Sequence, residues 1–205
     1  EAKALGVQTR PVILGPVSYL YLGKADKDSL DLEPISLLPK ILPVYKELLQ
    51  KLKEAGAEQV QIDEPVLVLD LPEAVQSKFK EAYDALVGAD VPELILTTYF
   101  GDVRPNLKAI ENLPVAGFHF DFVRVPEQLD EVASILKDGQ TLSAGVVDGR
   151  NIWKTDFAKA SAVVQKAIEK VGKDKVVVAT SSSLLHTPVD LESETKLDAV
   201  IKDWF

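Results

Sequence analysis

The chain has 205 residues, 46% of them hydrophobic, and a net charge of −9. That is enough apolar material for one domain with a real core, and the acidic balance excludes phosphate-backbone binding, which needs clustered Lys and Arg. No apolar run approaches the roughly 18 residues of a membrane span, and the N-terminus is unlike a signal peptide, so a cytoplasmic protein with no nucleic-acid or membrane partner is expected.

Cysteine and methionine are both absent. Lack of Cys rules out disulfides, a thiolate nucleophile and a thiolate zinc site. Glu1-Ala2-Lys3-Ala4-Leu5 reads as a last helical turn closed by Gly6, and Leu197, Val200, Ile201 and Trp204 keep helical spacing to the end. With no initiator Met, both ends read as cut, and a piece of a longer protein is expected.

In chain order, Val12-Ile13-Leu14 is a short strand closed by Gly15-Pro16, and residues 17–33 read as a long connection. Leu38, Ile41, Leu42, Tyr45, Leu48, Leu49 and Leu52 make the stripe of a helix, whose regular part can start as late as Pro43. A second strand, Val60 to Ile62, runs into Asp63-Glu64-Pro65; residues 66–71 fit either its extension or a separate segment. A helix from Pro72 to about Val87 leads to a third strand, Glu93 to Thr98, and a short helix from about Pro105 to Asn112 follows it. Val115 to Phe120 is the fourth strand, with a helix from Pro126 to Gly139 behind it. Thr141 to Val147 is the fifth strand, exiting through Asp148-Gly149-Arg150-Asn151. Asp156 caps the next helix and Gly172 closes it. Val176 to Ala179 is the sixth strand, and a last helix is expected from about Glu194.

Strand–helix alternation without hairpin signals specifies parallel pairing through right-handed crossovers. Both a doubly wound sheet and part of an eight-stranded barrel satisfy this. A polar cluster at every strand exit favours the barrel, which gathers residues from all its strand ends. The expected fold is α/β, a partial (βα)8 TIM barrel of about six units forming a single domain over residues 1–205.

Several residues can carry chemistry. Asp63 and Glu64 can hold an amine or act as acid and base; equally, they can pair with Arg124 or Arg150, or cap a helix. His119 shares a face with Asp121, and a neutral, hydrogen-bonded core histidine is the favoured reading over a ligand. His186 can orient a carboxylate or stabilise its loop. Arg150 can grip a carboxylate, or pair with Asp121 or Asp63 while Asp148 builds a turn. Thr180-Ser181-Ser182-Ser183 and Gly15-Pro16-Val17-Ser18 lack the glycines and lysine of a phosphate loop. Two distant histidines and no Cys make no zinc constellation.

Five stretches, in order, together resemble the cobalamin-independent methionine synthase family, and in particular the N-terminal half of a fungal-type member. They are Leu14-Gly15-Pro16-Val17-Ser18-Tyr19-Leu20, Gln61-Ile62-Asp63-Glu64-Pro65-Val66-Leu67, Thr97-Thr98-Tyr99-Phe100-Gly101-Asp102, the run from Gly145 to Trp153, and the run from Ser181 to Pro188. The resemblance implies two barrels facing each other across a cleft, with methyl transfer from 5-methyltetrahydropteroyl-polyglutamate to homocysteine. It implies zinc in the C-terminal barrel only. Where that barrel has its zinc ligands, this chain offers Thr97 and Tyr99, then Asp121, then Ser182, so no metal is expected here. Asp63 stands where the zinc-bearing barrel has an Asp-Glu-Pro that helps bind the amino acid.

On this reading the chain is strands three to eight of the non-zinc barrel. Its partner is the C-terminal barrel of the same polypeptide, it has no catalytic residue of its own, and Asp63, Glu64, Asp121, Asp148, Arg150 and His186 are the candidates at the barrel mouth. Two other classes stay open: an independent hydrolase or lyase using Asp63, Glu64 and Asp121, and a scaffold without ligand.

Overall fold

A computed structural model describes residues 2–26, 28, 32–185 and 187–205. Six parallel strands form one sheet in sequential order: β1 (Val12–Leu14), β2 (Gln59–Asp63), β3 (Glu93–Thr97), β4 (Gly117–Asp121), β5 (Thr141–Val147) and β6 (Val176–Thr180). Each crossover returns the chain to the next position, as βα units require. The sheet is not closed: among the described residues β1 and β6 pair on one side only.

The helices are α1 (Pro16–Leu22), α2 (Leu38–Glu54), α3 (Glu73–Leu86), α4 (Leu107–Ile110), α5 (Leu129–Ser134), α6 (Phe157–Val171) and α7 (Ala199–Lys202). Strand alternation divides the sheet into two faces. Val60, Ile62, Leu94, Leu96, Phe118 and Phe120 turn toward the helices and join Leu42, Leu49, Phe79, Tyr83 and Leu86 in one continuous core. The other, inner face carries Asp63, Thr97, His119 and Ser143, which stand in register on four neighbouring strands. Leu14 and Val177 flank that polar row on the edge strands.

Several elements differ from the sequence reading. The connection after β1 opens with α1, because Pro16 occupies the first helical turn, where its missing N–H costs nothing. Pro43 lies inside α2, which begins at Leu38; the buried stripe of Leu38, Leu42 and Leu49 outweighs the bond that Pro43 cannot make. The helix expected up to Gly139 stops at Ser134, and the last helix shrinks to Ala199–Lys202. Residues 66–71 extend no strand: Pro65–Val68 is a 3-10 turn. The ends of α6 are as anticipated, with the Asp156 carboxylate accepting from the Ala158 and Lys159 amides and Gly172 closing the helix at φ +94°.

Candidate functional site

The strand exits supply the candidate acids, and strand geometry sends neighbours in a sequence to opposite faces. Glu64 turns under the helices and is fully buried. Its carboxylate accepts the Ser18 amide at 2.7 Å, the Val17 amide at 3.4 Å and the Tyr83 hydroxyl at 3.4 Å. Val17 and Ser18 are in the first turn of α1, whose end has free N–H groups and a positive dipole. Gly15 leaves the necessary room, since a Cβ there would run into the Glu64 carboxyl. The Gly-Pro-Val-Ser stretch therefore does receive an anion: the chain's own Glu64. Of the readings open for this acid, the helix cap holds, and neither Arg124 nor Arg150 pairs with it. Burial outweighs these hydrogen bonds and pushes its pKa from 4.5 up to about 7.

Asp63 points to the inner face and is half-buried. Gln61 Nε2 donates to one carboxylate oxygen at 2.8 Å and the Tyr99 hydroxyl to the other at 3.1 Å. No Lys, Arg or His among the described residues forms an ion pair with it, and burial raises its pKa against the effect of those two donors.

Asp121, almost wholly buried, ties two loops together. One oxygen accepts the Val123 and Arg124 amides at 3.0 and 2.9 Å, and the other accepts the Phe100 amide at 3.1 Å. Phe100 is held at φ +79°, a left-handed conformation that costs a bulky side chain free energy. Gln128 buttresses the same place by donating to the Asp121 carbonyl and accepting from the Val103 amide.

Asp148 builds the turn after β5, accepting from the Arg150 amide at 2.8 Å and from Asn151 Nδ2 at 2.6 Å. The Arg150 guanidinium pairs with neither Asp121 nor Asp63; it stacks over the Phe100 ring with Cζ 4.6 Å from the centroid. His119 is the neutral core histidine anticipated. Nε2 lies 3.3 Å from the Ser181 carbonyl, which can only accept, so Nε2 carries the proton and Nδ1 accepts from Ser143 Oγ at 2.9 Å. Burial lowers its pKa. His186 lies outside the described residues.

Sequence reasoning did not single out Ser18, Tyr83, Gln61, Tyr99 or Ser143 as the partners of these acids and of His119. Only Gln61 had a visible signal, standing two residues from Asp63 on the same strand face. The strand-end acids do not converge as free carboxylates. A cavity of about 590 Å³ between the β5 exit and α6 touches Asp148, Trp153 and Phe122 but not Asp63, Glu64 or Asp121. Among the described residues no three His, Asp or Glu side chains gather as ligands of a metal, and both ring nitrogens of His119 are engaged, so this donor set does not fit zinc. No helix among the described residues is long and apolar enough to cross a membrane.

The sequence model of the family described as Cobalamin-independent synthase, N-terminal domain, matches residues 1–172. A 5-methyltetrahydropteroyltriglutamate--homocysteine methyltransferase of Saccharomyces cerevisiae is 66% identical over all of this chain, which covers 27% of the yeast protein. A probable enzyme of the same name from Schizosaccharomyces pombe is 54% identical, again over the whole chain and 26% of the relative. The chain thus spans about a quarter of the curated relatives it matches. Among solved structures, a putative vitamin-B12 independent methionine synthase from Listeria monocytogenes aligns with TM-score 0.69 at 18% identity, over 86% of this chain and 57% of that one. A B12-independent methionine synthase from Shewanella sp. W3-18-1 aligns with TM-score 0.66 at 15% identity, over 96% and 59%. At those identities the likeness concerns the fold.

Proposed function

The chain belongs to the cobalamin-independent synthase family through its N-terminal domain, and from that premise we propose that it is the non-zinc barrel of a methionine synthase. The whole enzyme would transfer a methyl group from 5-methyltetrahydropteroyltriglutamate to homocysteine, the reaction for which the yeast relatives are named. Zinc would be held by residues of the C-terminal barrel, outside this sequence, where a bound metal would supply a thiolate near neutral pH. A cytoplasmic location is part of the same reading.

Within such an enzyme this chain would support the C-terminal barrel and wall the substrate cleft with its strand ends. One observation carries that division of labour: the strand-end acids are spent on the fold. Glu64 caps α1, Asp121 locks two loops and Asp148 makes a turn, so none is free as an acid or base. That arrangement also argues against an independent hydrolase or lyase built on Asp63, Glu64 and Asp121. Asp63 and Arg150 are the groups left to face the cleft.

Turnover of homocysteine with 5-methyltetrahydropteroyltriglutamate is the test. The full-length enzyme should produce methionine and the isolated chain should stay at the level of buffer. Methionine formation by the isolated chain above that level would overturn the proposal.

A further inference from the structure

Asp63 differs from every other acid at the strand ends. Glu64, Asp121 and Asp148 each satisfy main-chain N–H groups of a turn or helix, a structural task that a carboxylate performs well. Among the described residues the Asp63 carboxylate serves no backbone group; its two donors, Gln61 Nε2 and the Tyr99 hydroxyl, are neutral side chains. Each donor fills one of the roughly two lone-pair positions on its oxygen, so each oxygen can accept once more. A half-buried carboxylate with no counter-ion leaves its charge uncompensated, and such sites gain most from a cation that also donates hydrogen bonds.

The surroundings favour a small, hydrogen-bonding cation. Thr97 stands beside Asp63 in the parallel register, is 2% exposed, and its hydroxyl has no hydrogen-bond partner among the described residues. His119, next in the row, has both ring nitrogens engaged, by Ser143 Oγ and by the Ser181 carbonyl, so it donates no hydrogen bond to Asp63. A divalent metal would want further anionic ligands, and none gathers there among the described residues. An ammonium group offers three N–H donors to two Asp63 oxygens and one hydroxyl.

We infer that Asp63, with Thr97 beside it, anchors a site for a primary ammonium group at the strand ends of the inner face. The inference deepens the cleft-wall reading above and rests on it, because the site faces the cleft which that reading assigns.

The test uses the full-length enzyme with ¹³C-labelled aspartate carboxyl groups, the Asp63 signal being identified by its loss in Asp63→Asn. The probe is methylammonium chloride, and tetramethylammonium chloride, of equal charge but without N–H, is the control. Methylammonium should shift the Asp63 signal saturably, tetramethylammonium should not, and Tyr99→Phe, which keeps the carboxylate and frees a lone pair, should retain the response. Equal responses to both cations, or no saturable response, would overturn the inference. So would an Asp63 that titrates below the ordinary aspartate range in the ligand-free enzyme, since a cation of the polypeptide would already fill the site. None of these outcomes touches the cleft-wall reading, which fails instead if the isolated chain turns over.

Discussion

Glu64→Ala probes the joint between α1 and the sheet. Removing the carboxyl strips acceptors from two main-chain N–H groups and from the Tyr83 hydroxyl, all within a fully buried pocket. Each buried donor left without a partner costs about 1–3 kcal/mol, so losing the acceptor of all three should cost about 3–9 kcal/mol before any cavity cost. Hydrogen exchange over residues 16–22 of the full-length enzyme reads this locally, and about 3 kcal/mol corresponds to a protection factor lower by about 100-fold. Glu64→Gln separates charge from shape. A carboxyl whose folded pKa is raised binds its proton more tightly in the folded state, so its contribution is greatest below the unfolded value of 4.5 and fades as pH rises through about 7. Across that window the wild type should lose up to about 3 kcal/mol relative to Glu64→Gln, at 1.36 kcal/mol per pKa unit. Unchanged protection in Glu64→Ala, or a wild-type minus Glu64→Gln difference that is flat between pH 4.5 and 7, would refute the buried-cap account.

Asp121→Ala frees the Phe100, Val123 and Arg124 amides; partial access of these loops to water reduces the cost to about 2–4 kcal/mol. Chemical denaturation should show that loss, and the loop at Phe100 should become susceptible to proteolysis at low protease. Gly145→Ala should cost about 1–3 kcal/mol in the same assay, because the new Cβ would sit 2.8 Å from Ser181 Cα and 2.9 Å from the Phe120 carbonyl, both backbone atoms with little freedom to move. Tyr99→Phe removes a hydrogen bond that lowers the pKa of Asp63, so NMR titration of the Asp63 carboxyl should move further upward. A downward move would mean that the phenol does not stabilise the carboxylate.

Much of the fold was legible because its signals are local. Val60 to Ile62 was read as a strand and lies within the observed Gln59–Asp63, and Thr141–Val147 was read with its observed bounds. Asp156 and Gly172 marked the ends of α6 through a cap and a left-handed turn. α1 escaped because seven residues with an exposed Tyr19 give no helical period, and its stability comes from a buried acid 46 residues away. Long-range partners leave no trace in spacing. Nothing near Asp121 announces that its carboxylate holds Phe100 in a left-handed conformation, or that Arg150 stacks on that ring instead of pairing with an acid. The family motifs were visible, but they mark which residues matter without saying whether a residue serves ligand or fold.

Asp63-Glu64 shows why that distinction needs coordinates. Two adjacent carboxylates at the end of a strand look like a catalytic pair, yet the pleat sends them to different worlds. Glu64 enters the layer between sheet and helices, where a charge is tolerable only against N–H dipoles, and α1 presents those at its first turn. Asp63 meets the inner face, where neutral donors hold its geometry and leave its charge uncompensated. Pro65 then starts the 3-10 turn that brings the chain toward α3 and Tyr83, the third donor on Glu64. Exchanging the two residues would put the shorter side chain under α1 and the longer one on the inner face, so neither could reach its present partners. The order Asp then Glu is therefore a requirement of reach: the long acid spans to the helix, and the short one stays at the strand end, available to the cleft.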